Sequence, residues 1–137
     1  MVNAAAQELL AAVGESLARS APEEWAQVKL RITAAGGMTR TTVTATRADG
    51  TLDRKCVLDD DGEDAAVALR GAMYEADRGA WYDAYFTLDR SGELAAEFDY
   101  DSRPFDGDAE DDLMVEDQRL FPRSQELLPS WHPSRST

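Results

Sequence analysis

Twenty-seven carboxylates and a single histidine make up most of the reactive vocabulary of this 137-residue chain. Paired carboxylates can do general acid and base work, as in glycoside hydrolysis. That chemistry needs a fixed separation and a cleft, and nothing in the sequence sets either. Acid-rich loops can also bind calcium, and "DYDSRPFDGDAE" (Asp99 to Glu110) is the stretch to test. It departs from the calcium-loop pattern, because the third ligand position counted from Asp99 is Arg103. His132 lies in "WHPS" with no second histidine to share a metal or a proton. One cysteine, Cys56, excludes an intramolecular disulfide and a cysteine-based zinc site. No G-x-S-x-G elbow, phosphate loop or dinucleotide fingerprint occurs. These residues point to binding rather than catalysis, with no metal or cofactor expected.

The carboxylates are unevenly placed. Residues 1–58 hold six acids and seven bases, whereas residues 59–117 hold twenty acids against four arginines. The second segment thus carries more than the whole formal charge of -13. A field of that sign repels nucleic acid and anionic membranes and attracts a basic protein. The alternative is a solvated helix cap followed by a solvated loop.

The elements that must position these groups can be read from periodicity. Residues 3–20 repeat Ala6, Leu9, Leu10, Val13 and Leu17 at helical spacing, and Pro22 stops the pattern. "WAQVKLRITA" and "MTRTTVTATR" are strand-like and flank a Gly36-Gly37 turn. "LDRKCVL" (residues 52–58) predicts a third strand, with Cys56 a small core residue. A second helix follows, with Asp61 expected at its N-cap, Gly79 at its stop, and a buried stripe of Ala66, Leu69, Met73 and Ala76. "WYDAYFTLDRSGELAAEFDYD" reads as a hairpin. A three-residue loop with Gly92 left-handed pairs Leu88 with Leu94, Phe86 with Ala96, Ala84 with Phe98 and Tyr82 with Tyr100, all on the core face. A helix from about Leu113 breaks near Pro122, a short helical turn follows, and the tail from about residue 133 is expected to fray.

The predicted class is α+β: a single domain over residues 1–137, with an antiparallel sheet of about five strands packed with an N-terminal, a middle and a C-terminal helix. The hairpin's other face is predicted to carry Trp81, Asp83, Tyr85 and Thr87 opposite Asp101, Asp99, Glu97 and Ala95. Asp83 beside Asp99 is a like-charge pair that a free sheet does not favour. Aromatic rings among carboxylates are the composition of a binding face. The candidate contact residues are therefore Trp81, Asp83, Tyr85, Glu97, Asp99 and Asp101, with Asp106, Asp108, Glu110, Asp111 and Asp112 steering. The competing expectation is that the C-terminal segment covers Trp81 and Tyr85.

The layout resembles the YezG-type immunity proteins, antitoxin partners of bacterial secreted polymorphic toxins. The resemblance rests on the leading amphipathic helix, "PEEW" (Pro22 to Trp25) entering the first strand, the mid-chain helix, "WYDAYFTLD", the Gly turn and "EFDYD", spanning roughly residues 5–105. "DQRLFPRSQELLPSW" and the acidic loop before it lie outside the resemblance. What it implies is a small cytoplasmic α+β protein that binds and blocks a cognate toxin domain, often a nuclease. Cytoplasmic placement agrees with an N-terminus that has no basic leader and is interrupted by Glu8 and Glu15. Alternatives are a structural subunit or a homodimer through an exposed sheet, and a calcium- or small-ligand-binding domain.

Overall fold

Asn3 opens the first helix, its side-chain oxygen accepting from the Ala6 amide, while its side-chain nitrogen donates to the Ala72 carbonyl. The computed structural model describes residues 3–136. Helix α1 (Ala4–Ser20) leads into β1 (Trp25–Ala35), which turns back as β2 (Met38–Arg47) and then β3 (Leu52–Asp53). Helix α2 (Asp60–Ala72) precedes the hairpin β4 (Asp83–Asp89) and β5 (Leu94–Asp99). Helix α3 (Asp111–Leu120) and a 3-10 turn (Gln125–Leu127) complete the order. The strands form one antiparallel sheet in the order β3-β2-β1-β4-β5, so among the described residues the fold is α+β with five strands and three α-helices, as the sequence predicts.

Alternation along β1 decides the two faces. Val28, Leu30, Ile32 and Ala34 point toward α1 and α2 and are buried with Val43, Ala45, Ala84, Phe86 and Leu88. The helices contribute Ala6, Val13, Leu17, Ala65, Ala66 and Leu69 to this core. Fully burying a side chain of leucine or phenylalanine size contributes about 1.5–3 kcal/mol, so this face holds most of the fold's stability. The helices approach closely at Gly62, where a Cβ would stand 2.0 Å from Ser16 Oγ. A second, smaller cluster of Ala35, Tyr82, Ala109 and Met114 lies where α3 and the C-terminal segment cross the other face, with Trp131 packed against it.

The hairpin register is as predicted from Leu88–Leu94 to Asp83–Asp99, and Gly92 has φ +88°. Beyond that point the expected Tyr82–Tyr100 pair does not form. The Tyr82 amide donates to the Asp99 carbonyl, so Tyr82 and Asp83 both face Asp99, the arrangement of a β-bulge. The extra residue reverses the alternation: Tyr82 turns to the second cluster and Trp81 turns into the main core.

Other boundaries shift for local reasons. The third strand ends at Asp53, because its carboxylate accepts from the Lys55 amide and pairs with Arg47, turning the chain. Cys56 is half-buried beside the core. Helix α2 is capped by Asp59 rather than Asp61, since Asp59 also accepts from Ser16 and Arg19 of α1. It stops at Ala72, seven residues before Gly79, which leaves Ala76 exposed and puts Ala65 and Arg70 in the buried stripe. Residues 134–136 are tied down rather than frayed: Arg135 donates to the Leu128 carbonyl, and Ser134 and Ser136 bond to Gln125.

Candidate partner-binding face

The strand order places β1 between β2 and β4, so the outer face of the hairpin continues onto two basic strands. Successive rows across the sheet read Thr44, Lys29, Thr87, Ala95; then Thr42, Arg31, Tyr85, Glu97; then Arg40, Thr33, Asp83, Asp99. Lys29, Arg31 and Arg40 line an open trough of about 740 Å³ together with Tyr85 and Asp106. The sequence reading of this face as purely acidic and aromatic is therefore corrected by the strand order. The alternating Lys29 and Arg31 were visible in "VKLRIT", but nothing local says which strand lies beside them.

Asp83 is 1% exposed. Arg31 donates to it from Nε at 3.2 Å and Nη2 at 3.0 Å. Burial pushes the Asp83 carboxyl upward, while the Thr33 hydroxyl and Arg31 oppose the shift. Burial also pushes the half-buried Asp99 carboxyl upward, yet the amides of Ser102 and Asp101, each at 2.9 Å, outweigh it and hold that carboxyl below its usual range. The Asp83–Asp99 juxtaposition is thus resolved inside the protein, one carboxylate by a guanidinium and the other by backbone donors. It does not call for an external cation, and Asp83 is not available to a partner.

Trp81 is likewise removed from the proposed face. It is fully buried and packs against Phe98 with ring centroids 5.8 Å apart. Its indole N–H has no acceptor among the described residues. Tyr85 stays 40% exposed, with the Arg31 guanidinium over its ring. Glu97 is exposed beside it.

The loop between β5 and α3 bends back over the sheet. Phe105 and Asp106 hold φ of 57° and 58°, which costs non-glycine residues about 1 kcal/mol or more each. The geometry is held by the Phe105 amide donating to Thr33 Oγ1 at 2.9 Å and by Asp106, which accepts from Arg31 at 2.5 Å and Arg40 at 3.4 Å. Those cations lower the Asp106 carboxyl. Asp111 pairs with Arg103 at 2.8 Å. Asp101, Asp108, Glu110 and Asp112 are exposed and, among the described residues, have no ion-pair partner; the same holds for Glu93 and Glu97 on the hairpin. Of the eleven candidates, six therefore present an unoccupied surface: Tyr85, Glu97, Asp101, Asp108, Glu110 and Asp112. Asp99, Asp106 and Asp111 are committed to internal contacts, and Trp81 and Asp83 are interior.

Two buried arginines, unremarked in the sequence, fasten this arrangement. Arg70 of α2 forms a two-pronged pair with Asp117 of α3 at 2.5 and 3.0 Å and donates to the Trp81 carbonyl at 2.6 Å. Asp117 also accepts from the Gly36 amide at 2.8 Å. Arg123 donates to the Ala80 and Tyr100 carbonyls and lies over the Tyr82 ring. Burial lowers its pKa. These contacts set where the acidic loop enters α3. Among the described residues, no three His, Cys, Asp or Glu side chains are grouped to hold a metal ion, and no helix is long and apolar enough to cross a membrane. No family model and no curated protein matches the chain.

Proposed function

We propose that this protein is a non-catalytic binding protein whose acidic surface docks a basic protein, and that the partner is a toxin domain which it blocks. The observation that carries the reading is a run of six exposed carboxylates along one stretch of chain that have no ion-pair partner among the described residues: Glu93, Glu97, Asp101, Asp108, Glu110 and Asp112. They follow one another from the β4–β5 turn through β5 and the next loop into α3. Within and around this stretch the arginines pair with Asp83, Asp106, Asp111, Glu116 and Asp117 instead.

The toxin assignment rests on the resemblance to YezG-type immunity proteins. Its physical sense is direct. A nuclease must hold phosphates and so presents a basic site. A row of carboxylates can occupy such a site as a phosphate mimic, and opposite charge accelerates encounter. Tyr85, the one exposed aromatic ring on the sheet face, supplies an anchor beside that row.

The experiment is a pull-down from the native organism at low and high salt, followed by activity assays of the captured protein with and without this chain. A basic protein captured at low salt and inhibited on binding supports the reading. An acidic partner, or capture that salt does not weaken, contradicts it.

A further inference from the structure

We infer that the free edge of β5 is the docking element of the acidic surface, and that it takes an extended segment alternating basic and apolar side chains, added as a sixth strand. This rests on the proposal that the partner is basic, and it specifies how such a partner is held.

The edge follows from the hairpin loop. The Asp89 amide donates to the Glu93 carbonyl, so Asp89 and Glu93 form a hydrogen-bonded pair. Bonded and non-bonded pairs alternate along an antiparallel ladder. Thr87–Ala95, Tyr85–Glu97 and Asp83–Asp99 are then bonded, which agrees with the Asp99 carbonyl pointing at Tyr82. Leu94, Ala96 and Phe98 are left with their N–H and C=O groups aimed away from β4. The strand order puts β5 at the end of the sheet, and no described residue pairs with it there.

Natural sheets blunt an edge with lysine, proline, bulges or extreme shortness. The opposite edge, β3, is two residues long. β5 is six residues long, with no lysine, proline or glycine, and with Ala95 and Ala96 exposed at its centre. Its protection is negative charge, Glu97 on the strand and Glu93 beside it, which repels a like strand and admits a basic one.

Its two faces state the chemistry of the occupant. On the outer face stand Glu93 and Glu97, exposed and without an ion-pair partner among the described residues, which select positive side chains opposite them on an added strand; Asp99 beyond them is held by the Asp101 and Ser102 amides. On the helix-side face stand Leu94, half-buried, Ala96, exposed, and Phe98, half-buried. At the hairpin-turn end of this row a groove opens beside Leu94, lined by Leu10, Gly14, Trp25 and Leu88 together with Glu15 and Arg90. The apolar residue of an added strand that lies nearest Leu94 would fall there. The main-chain bonds give affinity and the two rows give selectivity.

A second copy of this chain is the competing occupant, and charge argues against it. Antiparallel self-pairing centred on Ala96 sets Glu93 against Asp99 twice, between molecules that each carry -13. Like charges directly opposite one another destabilise a sheet.

The test uses the full chain labelled for amide NMR. The probes are a peptide of about six residues alternating lysine and valine, its glutamate–valine counterpart, and a block peptide of the lysine–valine composition. The alternating cationic peptide is expected to shift the Leu94, Ala96 and Phe98 amides and to bind about tenfold or more tightly than the block peptide. The anionic peptide is expected not to bind. Ala96→Pro removes an outward N–H without touching the β4 ladder, so it is expected to keep the melting temperature within a few degrees and lose the alternating peptide's advantage. Ala96→Lys, which keeps the donor but adds like charge, is expected to weaken the same binding if the proline variant unfolds.

Equal binding of both cationic peptides, with shifts confined to Asp108–Asp112, overturns edge docking while leaving the basic-partner reading standing. Failure of both cationic peptides counts against both. Sedimentation showing a dimer that Ala96→Pro abolishes overturns the proposal in favour of a second copy.

Discussion

Replacing Asp83 by alanine removes the acceptor of two Arg31 hydrogen bonds from a site that is 1% exposed. A fully buried ion pair broken on one side typically costs about 3–5 kcal/mol, because the remaining charge is stranded. Here the remainder is not stranded. The Arg31 side chain is 30% exposed and keeps Asp106 at 2.5 Å. Removing Asp83 also relieves a carboxylate whose burial is unfavourable. The expected cost is therefore about 1–2 kcal/mol, below the buried-pair range. Asp83→Asn keeps an acceptor for Arg31 and should cost less than Asp83→Ala. Urea unfolding of the wild type, Asp83→Ala, Arg31→Met and the double variant measures the coupling, which is expected at about 1 kcal/mol. Binding to the basic partner should change little in Asp83→Asn. Stability unchanged by Asp83→Ala, together with lost binding, would refute the assignment of Asp83 to the interior framework.

Three further outcomes follow from the packing. Asp117→Ala strands the Arg70 guanidinium, whose side chain is 5% exposed, and orphans the Gly36 amide; it should cost about 3–5 kcal/mol, read as a large fall in the urea midpoint. Gly62→Ala places a Cβ 2.0 Å from Ser16 Oγ and 2.7 Å from Ser16 Cβ, so thermal melting should show a net loss of about 1–3 kcal/mol despite the better helix propensity of alanine. His132 is buried, and burial lowers its pKa below the ordinary 6.5, so the unfolded chain binds the proton more readily than the folded one. Its contribution is fully present above about pH 6.5 and declines as pH falls below that value. Between pH 5 and 6.5 the wild type should lose stability relative to His132→Gln; Asp59 and Asp99, whose folded pKa values are lowered, give up theirs only below about pH 4.

What the sequence made legible was local. Gly92, the Leu88–Leu94 pairing and the break at Pro122 depend on neighbours a few residues away, and each is where periodicity puts it. What it hid was set by distant chain segments. The insertion of β1 between β2 and β4 brings Arg31 to Asp83 across fifty-two positions, and no pattern within the hairpin announces that cation. The bulge at Tyr82 exchanges the facing of two aromatic residues, which put Trp81 on the wrong side of a reading based on strict alternation. Three successive aspartates made the α2 cap ambiguous; Ser16 and Arg19 of α1 decide it for Asp59. Arg70 and Asp117 sit in charged stretches that look solvated, and they are buried because each satisfies the other. The candidate site was half legible for the same reason. Acidity and its location were readable, whereas which carboxylates were already paired was not.

The run of unpaired carboxylates from Glu93 to Asp112 is assigned to a basic partner, and stopped-flow association with that partner, measured across salt concentrations, is the decisive measurement. The proteins to compare are the wild type and the variant combining Asp108→Asn, Glu110→Gln and Asp112→Asn. Melting should fall by no more than a few degrees, because Glu110 and Asp112 stand at the positive end of α3 where each charge contributes about 0.3–1 kcal/mol; association should slow about tenfold or more in low salt, and the two proteins should converge as salt screens the field. Equal association rates in low salt would contradict that assignment.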